Sequence, residues 1–205
     1  AKWTLWDAGQ KSSMIVRWPG VVKPATQTDA IVQYEDVTPT FVDIAGGKAL
    51  TSLDGKSFLN VLKSNASKAR DFAFGIHNNI PEGPAYPIRS IRSTEYKLLL
   101  NLTPDKKYHI KYMMNPAKKD SYWNGWIAKA QSNANDQKLI DRIVHHPAVE
   151  FYDIKKDPYE LNNLANDPKY KDLVKTYTSN LKKWMKEQGD TGAAMDIRYE
   201  KKKSK

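Results

Sequence analysis

The segment from residue 150 to residue 167, EFYDIKKDPYELNNLAND, constrains the fold more than any other part of the chain. The start of this segment belongs to an apolar run that is typical of a half-buried strand. The run is formed by Val149, Phe151, Tyr152 and Ile154. Asp157-Pro158 predicts a turn, because aspartate can bond to its own backbone and proline presets φ. Asp167-Pro168 predicts the start of a long helix, with Asp167 as the N-cap. The order is therefore strand, turn, helix.

Three further strands and the long helix complete the pattern. Apolar residues alternate at 72–76, and two more strand patterns occupy 88–93 and 96–102. The helix is predicted over 168–188, where apolar side chains recur at helical spacing. These side chains are Tyr170, Leu173, Val174, Tyr177, Leu181, Trp184 and Met185. The spacing predicts that this stripe packs on the sheet.

The first part of the chain has a different pattern. Residues 14–18, MIVRW, are predicted as a short apolar strand that ends at Pro19-Gly20. A helix is predicted from about Asp36 to Ala45, because Pro39 fits the first turn of a helix. We expect one apolar face on this helix, formed by Val37, Phe41, Ile44 and Ala45.

Two regions carry weaker signals. Ser57 is expected to cap a short helix whose inward side chains are Phe58, Val61 and Leu62. Residues 103–147 are polar with clusters of aromatic residues, and two short helices are predicted there, at about 121–131 and 135–145.

The order of these motifs resembles that of the sulfatases. Near the N-terminus, Lys2 precedes an aromatic residue, the acidic-glycine turn Asp7-x-Gly9 and a strand that ends in Trp18-Pro19-Gly20. Further counterparts follow in the same order: Thr38-Pro39-Thr40, Leu53 to Leu59, Arg89 to Arg92, Glu95-Tyr96-Lys97 and the segment 150–167. The resemblance covers about 1–102 and 148–188. Within the family it is closest to the N-sulfoglucosamine sulfohydrolase (heparan N-sulfatase) branch, which shares Tyr86 to Ser90 leading into a strand.

The resemblance implies an α/β fold of the alkaline-phosphatase type, which is α+β within this segment. Residues 1–69 would be the C-terminal portion of the catalytic α/β domain. Residues 70–190 would be a C-terminal subdomain with a four-stranded antiparallel sheet and a long helix. Residues 191–205 are expected to be a disordered basic tail, because five of the last eight residues are basic.

The resemblance also implies hydrolysis of sulfate esters or N-sulfate groups on sulfated sugars, with calcium and a formylglycine nucleophile. The family forms that nucleophile from Cys or Ser in a Cys/Ser-x-Pro/Ala-x-Arg motif, and this chain has no Cys and no such motif. It also lacks an acidic cluster that could give a hard cation its about six or more oxygen ligands. We therefore expect the C-terminal part of a longer enzyme, inactive alone, whose partners are the sulfated carbohydrate and the N-terminal half. A homodimer through exposed apolar surface is a further expectation.

Lys2 is the candidate catalytic residue. In the resembling family the lysine at this place contacts the sulfate. An ammonium there would stabilise charge on the transferred group and on the leaving atom.

The candidate substrate-binding residues lie in HNNIPEGPAYP, directly after the strand at 72–76: His77, Asn78 and Glu82. A histidine on such a loop can donate to a hydroxyl or a sulfate and can titrate near neutral pH. Asn78 can add a hydrogen bond, and Glu82 can recognise the nitrogen of an amino sugar.

Other polar and aromatic residues are interpreted as structural. Arg89 and Arg92 are expected to form ion pairs with acids such as Glu95 or Asp153. His145-His146 and His109 are not expected to bind metal, because adjacent strand residues point apart and no third ligand is near. Trp123 and Trp126 could stack on a sugar, although burial is the preferred interpretation.

Composition leaves alternatives open. The net charge of +10 could steer a polyanion such as a sulfated glycosaminoglycan, so a non-catalytic binding module is one alternative. A phosphohydrolase or phosphotransferase of the same superfamily is another. No nucleic-acid-binding motif and no apolar run of membrane-spanning length occurs. The resemblance implies a periplasmic or secreted protein in a bacterium and a lysosomal one in an animal.

Overall fold

A four-stranded antiparallel sheet forms the centre of the protein. The computed structural model describes residues 3–48, 51–64, 68–118 and 121–197. The strands follow the order β1-β2-β3-β4, with bounds Ala73–His77 (β1), Ile88–Arg92 (β2), Tyr96–Asn101 (β3) and Val149–Asp153 (β4). All four predicted strands are confirmed, and so is their antiparallel arrangement.

Several α-helices surround the sheet, among them Asp7–Gln10 (α1), Val37–Ile44 (α2), Leu59–Ser64 (α3), Tyr122–Ala130 (α4), Ala134–Val144 (α5) and Lys171–Glu187 (α6). Short 3-10 turns at Tyr34–Asp36 and Pro168–Tyr170 lead into α2 and α6. Asp167 accepts a hydrogen bond from the Lys169 amide, which confirms its predicted role as a cap. Both helices predicted in 103–147 are present as α4 and α5. None of the helices in the described ranges is long and apolar enough to cross a membrane.

Helix α6 covers one face of the sheet. Ile91, Leu98 and Phe151 are partners across β2, β3 and β4, and all three are fully buried. The helix presents Tyr177, Leu181 and Met185 to this row. Because these three recur at intervals of four residues, they share one side of the helix. This confirms the predicted stripe.

The opposite face is covered by the N-terminal residues and by the insertion between β3 and β4. Strand alternation turns Ile88, Leu99 and Tyr152 to this side. They pack with Trp6 from the N-terminal segment and with aromatic and aliphatic residues of the insertion, which are Tyr108, Ile110, Met114, Trp123 and Ile140. The sheet is therefore the middle of three layers.

One expectation for the N-terminal part is wrong. Residues 14–18 form no strand, because no strand of the described chain lies beside them to complete the hydrogen bonds. The helix predicted from about Asp36 to Ala45 is present as α2, and its apolar side is turned outward: Phe41 is 65% exposed, whereas Pro39 and Thr40 are buried. Thr40 is buried because its hydroxyl donates to the Asp36 carbonyl and accepts from the Phe58 amide. This bond joins α2 to the start of α3, where Ser57 caps as predicted.

Candidate functional site

The loop that carries the predicted substrate-binding residues is held in a fixed shape. It leaves β1 at His77 and closes where the Tyr86 amide donates to the Asn78 carbonyl (2.9 Å). Inside it, the Gly83 amide donates to the Asn79 carbonyl (2.8 Å). A side chain at Gly83 would overlap the His109 carbonyl oxygen, so only glycine permits this approach.

Asn79 ties the loop to the insertion. It is buried and adopts a left-handed backbone conformation (φ 66°). Its amide nitrogen donates to the carbonyls of Pro84 (3.0 Å) and His109 (2.8 Å). Asparagine tolerates this backbone better than most residues, and its amide can make both bonds. The loop and the insertion therefore behave as one unit.

Tyr108 is the point at which three parts of the chain meet. Its amide donates to the Val144 carbonyl at the end of α5 (2.8 Å). Its hydroxyl donates to the Trp3 carbonyl and lies 3.4 Å from His77 Nε2. The insertion, the N-terminal segment and the His77 loop thus converge on one phenol.

The N-terminal segment is anchored on the sheet by buried polar contacts. Trp6 Nε1 donates to Glu150 (2.9 Å), and the Asp7 carboxylate pairs with Arg92 (3.0 Å) and with Lys97 (2.9 Å). Lys97 is fully buried. Because charges of this kind need their partners, the path of the segment is fixed. Lys2 lies outside the described residues, and its covalent neighbour is Trp3.

Electrostatics in this region favour a neutral His77. Burial lowers the pKa of His77, while the Asn79 side chain and the charges of Glu82 and Asp196 act in the opposite direction. His146 adds to the lowering. Burial also raises the pKa of Tyr108, so this phenol stays protonated at neutral pH.

The other predicted loop residues are placed as follows. Asn78 Oδ1 accepts from the Ile80 amide (3.1 Å), so part of its hydrogen-bonding capacity stabilises the loop. Glu82 is partly buried, and its carbonyl accepts from the Lys111 amide (2.8 Å). The structure brings His77, Asn78 and Glu82 into one loop, and their contacts with substrate remain a prediction.

Arg89, which is buried, and Arg92, which is partly buried, have partners that the sequence interpretation missed. Arg89 bonds to Asp190 (2.5 Å) and to Asp196 (2.9 Å), and Arg92 bonds to Asp7. The expectation of structural ion pairs is confirmed, but the suggested partners Glu95 and Asp153 were wrong. The real partners come from the N-terminal segment and from the segment after α6, which lie 85 to 107 positions away and which the fold brings together.

Asp196 extends the ordered chain beyond residue 190. Residues 193–197 are helical, and Asp196 is buried against Arg89. The sequence contains one pattern that could have pointed to this contact: Asp190 and Asp196 flank Gly192, just before the basic residues at the end of the chain. This pattern did not indicate that Arg89 is the cation with which Asp190 and Asp196 pair.

The remaining candidates are structural. His146 is buried, stacks on Trp6 (4.8 Å between ring centroids) and approaches Glu150 through Nδ1 (2.6 Å). Trp123 is buried, as preferred, but Trp126 is 46% exposed. Within the ranges that the structure describes, no three His, Asp or Glu residues are grouped to hold a metal ion. The residues present therefore do not fit a calcium site, and the chain has no cysteine to supply a formylglycine.

A family model matches residues 1–124 of this chain, and its description is N-sulphoglucosamine sulphohydrolase, C-terminal. An ulvan-active sulfatase from Formosa agariphila is 33% identical, over 92% of this chain and 36% of its own length. The N-sulphoglucosamine sulphohydrolase of Homo sapiens is 26% identical, over 84% of this chain and 38% of its own length. The chain thus spans little more than a third of these curated relatives.

The fold is shared with a solved protein in complex with its substrate, D-glucosamine-2-N,6-O-disulfate. The TM-score is 0.58 at 22% identity, with 86% of this chain and 28% of that protein covered. The architecture described above therefore also occurs within a much longer solved chain.

Proposed function

The chain belongs to the N-sulphoglucosamine sulphohydrolase C-terminal family, and we propose that it is the substrate-facing C-terminal part of a sulfatase that acts on sulfated sugars. The observation that carries this proposal is the convergence of the His77 loop, Tyr108 and Trp3 within the matched residues. Lys2, the residue that resembles the family's sulfate-contacting lysine, is bonded directly to Trp3.

The division of the chain follows from the same proposal. Residues 1–69 would complete the α/β catalytic domain, and 70–190 would form the C-terminal subdomain. In support, every strand of the sheet and the helix α6 lie between residues 73 and 187. The exposed apolar residues at 14–16 lie in the first unit, where the rest of a larger domain would cover them.

The residues of this chain would bind and orient the sugar beside the sulfate. Lys2 would place an ammonium next to the sulfate oxygens, where it offsets charge that develops as the bond to sulfur changes. His77, Asn78 and Glu82 would contact hydroxyl or amino groups of the same sugar. Calcium and formylglycine would act in the intact enzyme. The calcium ligands and the residue that is converted to formylglycine would come from the N-terminal half of that enzyme.

A sulfated carbohydrate is the substrate class we propose, with N-sulfated glucosamine as the specific candidate. The family description and the human relative name an N-sulphoglucosamine sulphohydrolase. The basic balance of the chain supports an anionic substrate, because a net charge of +10 attracts polyanions.

Sulfate release from N-sulfoglucosamine by the full-length protein that contains this chain tests the proposal. We expect Lys2→Ala to lower kcat by about 100-fold or more, as for loss of one charge-stabilising donor. We expect His77→Gln to lower kcat/KM by about 10- to 100-fold, the loss of about 1.4–2.7 kcal/mol of transition-state binding. Lys11→Ala and His145→Gln are matched controls, since both side chains are exposed.

Three outcomes would contradict the proposal. Hydrolysis of a phosphate monoester in preference to every sulfated sugar would support the phosphohydrolase alternative. Retention on heparin by a full-length protein that releases no sulfate would support a binding module. Sulfate release by the 205-residue chain alone, in proportion to its concentration, would show that the chain does not depend on further residues.

A further inference from the structure

We infer that Tyr108 is a positioning residue of this site: its oxygen fixes His77 in the neutral tautomer that carries a proton on Nε2, and its proton holds the Trp3 carbonyl. The inference rests on the proposed function only in assigning His77 to the substrate. The positioning itself rests on contacts within the described residues.

The assignment of protons follows from what each atom can donate. A carbonyl oxygen has no proton, so the hydrogen of the Tyr108 hydroxyl must lie toward Trp3. The phenolic oxygen then meets His77 Nε2 as an acceptor at 3.4 Å. A neutral imidazole has one N–H and one lone pair. The contact is favourable only when Nε2 has the proton, which leaves the lone pair on Nδ1.

Burial, a backbone hydrogen bond and ring packing restrict the position of Tyr108. It is 2% exposed, and its amide donates to the Val144 carbonyl (2.8 Å). Its ring packs against Tyr86 (5.2 Å between centroids) and edge-on against His146 (5.6 Å). A phenol confined in this way cannot turn to another acceptor without disturbing the core. The insertion between β3 and β4 thereby delivers a rigid group to the site.

The surroundings of His77 determine whether its ring is neutral, and only a neutral ring has two tautomers. Glu82 and Asp196 favour the imidazolium, His146 disfavours it, and burial is the largest influence and also disfavours it. The ring is therefore neutral at neutral pH. Because the Asn79 amide nitrogen donates to two carbonyls, Asn79 offers His77 only its acceptor oxygen, and it favours a protonated ring nitrogen as Tyr108 does.

The tautomer of His77 can be measured directly by nitrogen-15 NMR on the 205-residue chain, without reference to activity. The chain has four histidines, and the spectrum of His77→Gln identifies the signals of His77. We expect the wild-type ring to show the chemical shifts of the Nε2–H tautomer above its titration midpoint. In Tyr108→Phe we expect this preference to weaken, because the acceptor has been removed. We also expect the His77 pKa to fall further, since the imidazolium loses a partner.

Tyr112→Phe is the matched control. The ring of Tyr112 stacks on that of Trp3 (5.9 Å between centroids), and Tyr112 is 53% exposed. We expect that removing the Tyr112 hydroxyl leaves the tautomer of His77 unchanged. Circular dichroism of each variant shows whether the fold is kept.

A wild-type His77 with its proton on Nδ1 would overturn the inference, and this measurement needs no variant. A folded Tyr108→Phe chain with an unchanged tautomer and an unchanged midpoint would do the same. Failure of the proposed function would be a separate result. In that case the NMR spectra would show the expected tautomer of His77, but the full-length protein would release no sulfate. If both hold, Tyr108→Phe in the full-length enzyme lowers kcat/KM by about 10-fold.

Discussion

Arg89 shows how one residue holds a distant segment of this chain. It lies on β2, is fully buried, and binds two carboxylates from the segment after α6, Asp190 and Asp196. Burial by itself raises the pKa of Asp190, but the hydrogen bond and the charge of Arg89 outweigh it and lower that pKa. Arg89 and Asp190 therefore stabilise each other in the charged state.

Arg89→Met is expected to destabilise the protein strongly. The substitution keeps much of the side-chain volume but leaves two buried carboxylates without their cation, at a cost of about 3–5 kcal/mol. Chemical denaturation at neutral pH measures the change in the free energy of unfolding. Lys155→Met is the control, because its ion pair with Glu95 is exposed on both sides and should contribute about 1 kcal/mol or less. Equal effects of the two substitutions would show that burial does not govern these pairs.

The N-terminal segment and the sheet form a second unit, at the level of secondary-structure elements. Asp7 begins α1 and its carboxylate contacts β2 through Arg92 and β3 through Lys97. Glu160, from the turn after β4, accepts from the Asp7 amide and pairs with Lys97. A short helix of four residues has little stability of its own. These contacts therefore determine where α1 lies, and with it the chain at Trp3.

This docking is expected to depend on pH. Burial raises the pKa of Asp7, but Arg92 and Lys97 outweigh burial and lower it to about 2, from 3.8. A lowered carboxyl pKa stabilises the fold above the unfolded value, and this stability is lost as the pH falls from about 4 toward 2. We expect Asp7→Asn to reduce the free energy of unfolding by about 1–2 kcal/mol at neutral pH, and less at pH 2.

Denaturation of wild type and Asp7→Asn across pH 2–7 tests this dependence. Burial raises the pKa of Glu160, so its contribution has the opposite sign and is lost as the pH rises through the raised pKa. The difference between the two proteins, rather than either profile, therefore reports Asp7. Asp71→Asn serves as a control, because both partners of its ion pair are exposed. A difference that grows toward pH 2 would contradict the assignment.

At the scale of the whole molecule, apolar surface is concentrated in the first 45 residues. Ile15 is 93% exposed and Phe41 is 65% exposed, and Met14, Tyr34 and Ile44 are also exposed. On the same helix as Phe41 and Ile44, Thr40 is buried and its hydroxyl donates to the Asp36 carbonyl. Exposed apolar groups beside a well-packed interior are typical of a surface that another polypeptide covers.

We therefore expect the 205-residue chain to self-associate through this surface. Light scattering should show an apparent mass that rises with concentration, and Ile15→Thr combined with Phe41→Ser should reduce the rise. Tyr159→Ser is the control, because Tyr159 is 78% exposed but lies in the turn after β4 and not in the first 45 residues. A strictly monomeric wild-type chain over the whole concentration range would refute the expectation.

Local patterns in the sequence were sufficient for most elements of the fold. Alternation predicted the four strands, and helical spacing predicted α6, because each pattern reflects a face that must be buried. Order along the chain also placed His77, Asn78 and Glu82 in one loop. The same reasoning failed at 14–18, where an apolar pattern was present but no strand of the described chain lies beside it.

The amino-acid sequence by itself determined the elements, their order and the family, since these depend on short-range spacing and on motifs that a linear chain displays. Only the tertiary structure decided that Arg89 meets Asp190 and Asp196, that Asp7 meets Lys97, and that Tyr108 stands between Trp3 and His77. Those contacts join residues that are 31 to 107 positions apart. The partner of a buried polar group is set by how the layers pack, and no local pattern records it.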